Sequence, residues 1–337
     1  MLRESLLYER LPRGYLRCLI CQRRCSIAPG KRGWCLTREN RRGRLVSLIY
    51  GEVSSLSMNP IEKKPVFHFL PGSVWLSVGS VGCNFRCPGC QNWQIAHYKG
   101  GPMGTTYVGP GELLQMALRE GAQGISWTFN EPTLWFQYTL EGARLAKEQG
   151  LFTNYVTNGF ISPEALRMLS PWLDVFRVDI KGFFEETYRK IAHTRAAQGV
   201  RSSTELARNL GVHVECVTNI VPGVNDSVEE LRAIARWIKD ALGVQTPWHI
   251  SRFYPHCEWS HLEPTPVETL EQAWHLGREA GLWYVYLGNV PGHKWENTYC
   301  HSCGGLLIRR YVFQVLQNRI RNGRCSHCGS PVPGRWQ

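Results

Sequence analysis

The sequence of 337 residues lacks any apolar run that approaches the roughly 18 residues needed to span a membrane. Its first ten residues, MLRESLLYER, are charged where a signal peptide would be apolar. Low-complexity segments are lacking as well, because the 33 Gly and 19 Pro are scattered along the chain. The sequence therefore predicts a cytoplasmic globular protein that is neither secreted nor inserted into a membrane.

Acidic residues are scarce at both ends of the chain. Residues 1–44 contain 12 Lys and Arg against 3 Asp and Glu, residues 294–337 contain 7 against 1, and the body contains 20 against 23. The formal net charge of +12 therefore belongs to the two ends, where most of the 13 cysteines also cluster. Because a reducing cytosol keeps thiols free, clustered CxxC spacings indicate metal ligation and not disulfides.

Short β-rich runs alternate with amphipathic stretches of helical period between residues 73 and 290. The stretches with helical period are GELLQMALREG, TLWFQYTLEGARLAKEQG, SVEELRAIARWIKDALG and TPVETLEQAWHLGREAG. The predicted strands are 74–79, 125–130, 151–157, 175–180, 212–220, 248–254 and 283–288. This repeat predicts an α/β fold with a parallel sheet. Without a GxGxxG motif after the first strand, a partial or full β/α barrel is favoured over a dinucleotide-binding sheet.

Three cysteines follow the first predicted strand in a glycine-containing loop, with the spacing C-x3-C-x2-C: Cys83, Cys87 and Cys90. Three thiolates can hold three irons of a 4Fe-4S cluster and leave the fourth iron without a protein ligand. That iron can bind the amino and carboxylate groups of S-adenosylmethionine, whose reductive cleavage gives a 5′-deoxyadenosyl radical. Zinc is the alternative, but a fourth ligand at matching spacing is missing from this stretch.

Five stretches carry a resemblance to a known family: GEVSSLSMNPIEKKPVFHFLPGS, CNFRCPGCQNWQIAH, FNEPT, VTNGF and LGNVPGHKWENTYCHSCG. Over nearly its whole length the chain resembles the radical S-adenosylmethionine (SAM) enzymes of the AmmeMemoRadiSam system, relatives of pyruvate formate-lyase activating enzymes. The resemblance implies a partial TIM-like radical SAM barrel at 73–293, between a four-cysteine segment with its lead-in at 1–72 and a zinc-ribbon-like domain at 294–337. It also implies an electron donor such as flavodoxin or ferredoxin, and Memo-like and AMMECR-like partners.

The same resemblance assigns SAM contacts to side chains that follow other strands. Glu131 would bind the amino group of SAM, and Asn130 precedes it in a stretch where activating enzymes carry Gly-Gly-Glu-Pro. Asp179 and Lys181 match a D-x-K stretch that reaches the ribose or carboxylate, and Asn158 would line the same cleft. Structural alternatives are a helix-terminal acid for Glu131 and an ion pair across a strand end for Asp179 with Lys181.

The C-terminal cysteines form two CxxCG knuckles, Cys300 with Cys303 and Cys325 with Cys328. The glycine after each knuckle permits the turn that brings backbone amides towards sulfur, and two knuckles give tetrahedral four-sulfur ligation. This pattern predicts a zinc ribbon, with rubredoxin-like iron as the minor option. Its role is structural, because about 44 residues bury too little core without a metal staple.

The N-terminal set has the less regular spacing C-x2-C-x3-C-x9-C and consists of Cys18, Cys21, Cys25 and Cys35. It can form a four-thiolate zinc site or hold an auxiliary 4Fe-4S cluster. Zinc is favoured because the spacing is not that of the ferredoxin run. Basic residues that would balance the negative charge of either group lie close by: Arg23, Arg24, Lys31 and Arg32.

Together these patterns predict an enzyme that cleaves SAM reductively and abstracts hydrogen from an unidentified small molecule or protein. A glycyl-radical enzyme activase is the alternative within this class. An RNA-binding or RNA-modifying protein is the alternative from another class, but basic residues around thiolate sites are explained more simply by charge balance. Cys216 is predicted to be a core residue, and Cys257 a spectator with a hydrogen donor or substrate contact as the alternative. Four histidines are predicted to be structural, with proton donation as the alternative: His68, His97, His249 and His293.

Overall fold

The computed structural model describes residues 2–337, and the chain forms two compact units. The first unit comprises Met1–Asn59, Val74–Phe176 and Gln198–Val212. The second unit comprises Pro60–Ser73, Arg177–Ala197 and His213–Gln337. Each unit is therefore assembled from separate stretches of the chain. The three consecutive segments suggested by the sequence stay a prediction, because a compact unit need not correspond to a domain.

The strands are numbered in chain order. They are β1 (Arg3–Glu4), β2 (Tyr8–Arg10), β3 (Leu16–Cys18), β4 (Ser26–Ile27), β5 (Arg38–Arg41), β6 (Arg44–Ser47), β7 (Glu52–Val53), β8 (Ser55–Pro60), β9 (Val74–Gly79), β10 (Thr106–Tyr107), β11 (Gly124–Trp127), β12 (Phe152–Thr157), β13 (Val175–Asp179), β14 (His213–Ile220), β15 (Trp248–Arg252), β16 (Val285–Gly288), β17 (Thr298–Tyr299), β18 (Leu306–Tyr311), β19 (Gln314–Asn318), β20 (Ile320–Arg321) and β21 (Arg324–Cys325).

The α-helices are α1 (Trp93–Ala96), α2 (Pro110–Arg119), α3 (Phe136–Glu148), α4 (Pro163–Leu169), α5 (Glu185–Ala192), α6 (Ala197–Asn209), α7 (Val228–Trp237) and α8 (Val267–Glu279). Short 3-10 turns lie at Pro12–Gly14, Ile61–Lys63, Pro132–Trp135, Ser170–Trp172, Cys257–Trp259 and Lys294–Glu296, and a π turn at Ile238–Leu242. Within residues 2–337, every helix falls short of the length and apolar character that a membrane crossing requires.

In the first unit, the strands of the main sheet follow the order β8-β9-β11-β12. β11 pairs in parallel with both β9 and β12, with Ile125 opposite Leu76 on one side and Thr153 on the other. All four residues of β11 are buried, as expected of a parallel strand covered on both faces. Because the strands are parallel, the loops that follow β9, β11 and β12 leave the sheet at the same edge.

In the second unit, β14, β15 and β16 are neighbouring parallel strands, and Trp248 lies opposite Cys216 and Val285. Helix α7 begins where the Ser227 hydroxyl accepts the Glu230 amide, and it packs against α8. Cys216 is completely buried in β14, so its prediction as a core residue is confirmed.

The seven predicted strands are confirmed: 74–79 coincides with β9, and the boundaries of the other six differ by at most three residues. The largest difference is at 125–130, where β11 ends at Trp127 because Phe129 adopts a left-handed backbone with φ 71°. The N-terminal antiparallel sheets, β1-β6-β5 and β2-β3-β4, were missed. Their strands have two to four residues, too short for an alternating pattern to show.

A buried carboxylate organises the second unit around the start of β14. Glu215 is completely buried and accepts the backbone amides of Phe67 and His68 and the side chains of His213 and His249. Burial opposes ionisation of Glu215, but its bonds to the two histidines outweigh burial and hold its pKa well below the usual range. The ionised carboxylate thus binds Pro60–Ser73 to the strand.

We expect Glu215→Gln to destabilise the protein by about 3 kcal/mol, because it removes the charge from a buried, fully bonded network. In the wild type, the pKa of Glu215 is lower in the folded than in the unfolded protein. The resulting stabilisation is complete above the pKa of the unfolded state, about 4.3, and is lost as the pH falls through the pKa of the folded state. Urea unfolding midpoints at pH 7 and below pH 4 measure both effects. Glu279→Gln, on the exposed end of α8, is the control. Equal midpoints for both variants at pH 7 would contradict the prediction.

Candidate functional site

The central cysteines lie in the loop between β9 and α1, and all three are half-buried. The Cys90 amide donates to the Cys87 carbonyl at 3.1 Å, which closes a tight turn between these two ligand candidates. The Phe85 amide donates to Cys83 Sγ at 3.3 Å, and the Phe85 ring is buried against Phe160. Such N–H donation to sulfur stabilises a thiolate. The sequence therefore folds this loop into a preorganised set of thiols.

The separation of the sulfurs distinguishes a single ion from a cluster. Tetrahedral zinc with Zn–S bonds of about 2.3 Å requires sulfurs about 3.8 Å apart. Within residues 2–337, the central triad does not form a group of ligand atoms that all lie within 4.8 Å of one another. The three thiols still interact electrostatically, since Cys87 and Cys90 both affect Cys83. Their arrangement is too open for one zinc ion and fits a group in which each thiolate binds a different iron.

Asn130 binds the backbone of the short segment that connects β9 with Cys83. It is buried, its Oδ1 accepts the Ser80 amide at 2.9 Å, and its Nδ2 donates to the Gly82 carbonyl at 3.2 Å. Gly82, with φ 90°, immediately precedes Cys83. Both polar ends of the Asn130 side chain are thus used to position this loop. Its predicted contact with SAM stays a prediction.

Glu131 lies at the start of the Pro132–Trp135 turn and is 3% exposed. One carboxylate oxygen accepts the Thr133 amide at 3.0 Å and the Thr157 hydroxyl at 2.7 Å, and the other accepts the Asn158 amide at 2.8 Å. Burial raises the pKa of Glu131, although these donors oppose the shift. Glu131 therefore caps the start of a helical turn, which was the structural alternative considered for it from the sequence. Each oxygen keeps acceptor capacity for a further cationic donor.

Asn158 connects Glu131 with the cysteine loop. Its amide nitrogen Nδ2 donates to Cys83 Sγ at 3.5 Å and to Asn84 Oδ1 at 2.7 Å, while its Oδ1 accepts the Phe160 amide. The structure therefore brings Asn130, Glu131 and Asn158 together around Cys83, at the shared edge of β9, β11 and β12.

Two side chains that sequence reasoning missed also hold the loop. Arg86 donates to the carbonyls of Cys83 and Phe85 at 2.9 and 3.1 Å. Asn92 donates to the Phe129 carbonyl at 2.8 Å and thereby holds the left-handed residue that ends β11. The only local signal was their position beside the cysteine motif, in CNFRCPGCQN.

Asp179 and Lys181 lie in the second unit at the end of β13. Asp179 accepts hydrogen bonds from Lys181 Nζ at 3.3 Å and from Arg177, which the sequence reading did not single out. Burial would raise the pKa of Asp179, but the charges of Arg177 and Lys181 outweigh burial and leave the pKa below its usual range. The ion pair weighed as the structural alternative is therefore formed, and a contact with SAM stays a prediction for both residues.

The C-terminal cysteines form a compact four-sulfur group. Sγ of Cys300 lies 3.7 Å from that of Cys328, Sγ of Cys303 lies 3.8 Å from that of Cys325, and all four sulfurs are within 4.8 Å of one another. In each knuckle the glycine has positive φ and donates its amide to the carbonyl of the first cysteine: Gly304 to Cys300 and Gly329 to Cys325. These separations are those of tetrahedral ligation around one ion.

This four-sulfur group is built into the core of the second unit. Cys300 and Cys325 are buried in one apolar cluster with Phe67, Tyr284 and Tyr286. A change in the separation of these sulfurs would therefore disturb packing well beyond the knuckles.

The remaining candidates have structural partners. His68 bonds the Pro333 carbonyl and the Tyr286 hydroxyl, and His249 bonds Glu215. His293 caps the Lys294–Glu296 turn and bonds Glu271. Cys257 is half-buried in a short 3-10 turn.

Comparison with known proteins agrees with this geometry. The sequence profile of the radical SAM superfamily matches residues 77–238. The uncharacterized protein MJ0808 of Methanocaldococcus jannaschii is 42% identical over 333 residues, which cover 98% of this chain and 99% of that protein. The pyruvate formate-lyase-activating enzyme of Clostridium pasteurianum is 28% identical over 178 residues, which cover 50% of this chain and 72% of that enzyme.

Among solved structures, a radical SAM methyltransferase from Sphaerobacter thermophilus superimposes with a TM-score of 0.53 at 15% identity, over 71% of each chain. At this identity the likeness concerns the fold alone, and it confirms the predicted radical SAM α/β class. The profile begins within β9, immediately before the cysteine loop, and extends beyond β14. With this match and a relative that is similar along nearly the whole chain, the protein belongs to the radical SAM superfamily.

Proposed function

We propose that the protein cleaves SAM reductively and uses the 5′-deoxyadenosyl radical to abstract hydrogen from a substrate not yet identified. The observation that carries this proposal is the loop of three cysteines after β9, whose sulfurs are too widely spaced for one zinc ion and whose Cys83 receives N–H donors from Phe85 and Asn158. When bound to these thiols, a 4Fe-4S cluster supplies the electron for cleavage and an open iron for SAM.

The chain's own residues prepare this site in two ways. Asn130 and Arg86 hold the loop, and the Phe85 amide and the Asn158 side chain donate to Cys83 Sγ. The Glu131 carboxylate would receive the ammonium of SAM at its remaining acceptor positions, while Asp179 and Lys181 would contact the ribose or carboxylate of SAM.

Anaerobic reconstitution with iron and sulfide, followed by reduction in the presence of SAM, tests the proposal. We expect 5′-deoxyadenosine and methionine in equal amounts. Their absence from a chain with a verified 4Fe-4S cluster would overturn it.

Glu131→Gln is expected to weaken SAM binding about 10-fold, or about 1.4 kcal/mol, because the substitution removes the charge that faces the ammonium. Iron content should stay unchanged, since Glu131 accepts no bond from the cysteine loop's thiols. Equilibrium binding of SAM to the reconstituted protein measures the effect. Glu120→Gln, exposed at the end of α2, is the matched control. Wild-type affinity in Glu131→Gln would remove Glu131 from the SAM site.

Asn158→Ala is expected to make the reduction potential of the cluster more negative, because it removes an N–H donor from Cys83 Sγ. A redox titration followed by electron paramagnetic resonance measures the shift. Asn154→Ala removes another buried amide of β12, one that bonds Ser126, and should leave the potential unchanged. Identical potentials in both variants would contradict a role for Asn158 at the cluster.

Activation of a glycyl-radical enzyme is the second candidate, favoured by the similarity to the activating enzyme of Clostridium pasteurianum. A partner with a glycyl-radical sequence should then develop a radical signal on its glycine after incubation with SAM and reductant. A soluble product released without such a partner would count against activation.

Finer assignments extend the same proposal. The five stretches named above support membership of the AmmeMemoRadiSam system and Memo-like and AMMECR-like partners. Flavodoxin or ferredoxin is the proposed class of electron donor, zinc is the proposed ion of the C-terminal four-sulfur group, and a cytoplasmic location stays a prediction. Co-purification with the two partner types tests the system assignment.

A further inference from the structure

The four N-terminal cysteines line one cavity in the first unit, together with Arg23, Arg38 and Asn84. Cys18 and Cys21 are buried, and Cys25 and Cys35 are half-buried. The thiols of Cys18, Cys21 and Cys25 all interact electrostatically with Cys35, so the four sulfurs belong to one site.

The size of that site differs from that of the C-terminal four-sulfur group. At the C-terminus, all four sulfurs lie within 4.8 Å of one another, as one tetrahedral ion requires. In residues 2–337, no three of the N-terminal sulfurs reach this mutual spacing. A 4Fe-4S cluster holds its thiolates about 6 Å apart, because each thiolate binds a different iron. The C-terminal cysteines thus form a compact group that fits one metal ion, whereas the N-terminal cysteines are too far apart to bind one ion together.

Two guanidinium groups at this cavity, that of the buried Arg38 and that of the half-buried Arg23, have unused donors. Arg23 Nη2 and Arg38 Nε are buried and have no hydrogen-bond partner among residues 2–337. The other nitrogens of the Arg38 guanidinium are already bonded: Nη1 donates to the Ser5 hydroxyl at 2.7 Å, and Nη2 donates to the Leu134 carbonyl at 2.9 Å. Buried donors without acceptors cost free energy, so an anionic group with exposed acceptors is the expected occupant. A cluster offers its inorganic sulfides as acceptors in addition to the cysteine sulfurs, whereas a zinc site offers the cysteine sulfurs alone.

Arg23 also connects this cavity with the central cysteine loop. Its Nε donates to the Asn84 carbonyl at 2.6 Å, directly after Cys83. Its guanidinium interacts electrostatically with Cys21, Cys25 and Cys83. The positive charge therefore lies between the two sets of thiols and balances both.

We propose that Cys18, Cys21, Cys25 and Cys35 bind a second 4Fe-4S cluster beside the central loop, in place of the zinc that their spacing along the sequence favoured. The inference goes beyond the proposed reaction and does not depend on it, because metal bound by these four cysteines can be measured without SAM cleavage.

Analysis of iron, acid-labile sulfide and zinc in the anaerobically purified full-length chain tests the proposal. We expect about 8 iron, 8 sulfide and 1 zinc per chain. About 4 iron with about 2 zinc would overturn it. The variant Cys83→Ala/Cys87→Ala/Cys90→Ala should retain about 4 iron and, after reduction, the electron paramagnetic resonance signal of a 4Fe-4S cluster. An iron-free variant with additional zinc would overturn the proposal.

The complementary variant, Cys25→Ala/Cys35→Ala, changes the two less buried ligands and should lose about half of the iron. Full iron retention would place the second cluster elsewhere and overturn the proposal. The two variants also separate this inference from the proposed function. If the central triad binds no cluster, its variant keeps all the wild-type iron, whereas failure of the N-terminal site leaves that variant without iron.

Discussion

Cys87→Ala is expected to abolish the cleavage of SAM, with the rate falling on the order of 1,000-fold or more, while the chain remains folded. Cys87 lies in the middle of the central loop and is half-buried, so removing its sulfur leaves a small defect near the surface. The reaction, in contrast, needs all three thiolates, because loss of one leaves an incompletely held cluster without a stable open iron. Quantification of 5′-deoxyadenosine after anaerobic reduction measures the effect.

The matched control is Cys257→Ala, another half-buried cysteine, which the structure places in a 3-10 turn of the second unit. It should retain wild-type iron content and SAM cleavage. Circular dichroism of both variants establishes that folding is intact. Substantial 5′-deoxyadenosine formation by Cys87→Ala would contradict the assignment of the central triad.

Cys325→Ala is expected to destabilise the second unit so strongly that it no longer folds stably. The residue is one of four sulfurs in the compact group and is buried in the cluster that contains Phe67 and Tyr286. Structural zinc contributes about 10 kcal/mol or more to the folding of isolated zinc-finger peptides, and three sulfurs hold it far less well. We expect loss of one zinc per chain, aggregation during expression and a lower melting temperature in any soluble fraction.

Ser326→Ala provides the control, since Ser326 is exposed in the same knuckle between Cys325 and Cys328. It should keep its zinc and its melting temperature. Treatment of the wild type with a zinc chelator should reproduce the effect of Cys325→Ala. A stable, soluble Cys325→Ala variant with full zinc content would show that this group is not a metal staple.

The site could be predicted from the sequence where its residues are close together in the chain. Cys83, Cys87 and Cys90 share one loop, so their spacing alone suggested a cluster. The contacts of Arg23 with Asn84 and of Asn130 with Gly82 join residues 61 and 48 positions apart. Single-sequence patterns contain no signal for such pairs, because they arise only when separate strands and loops pack together.

The terminal cysteine groups show the same difference between what is local in the sequence and what depends on folding. CxxCG spacing specified the C-terminal four-sulfur group, because each knuckle is a local turn that glycine permits through positive φ. The spacing of the N-terminal cysteines left zinc and a cluster open, since it does not set the distance between sulfurs that four short segments bring together. Local chemistry in the chain thus specified the α/β alternation, the cysteine motifs and the radical SAM resemblance. Folding decided the separation of the sulfurs, the burial of Arg38 and the attachment of Asn158 to Cys83, because these depend on packing between distant segments.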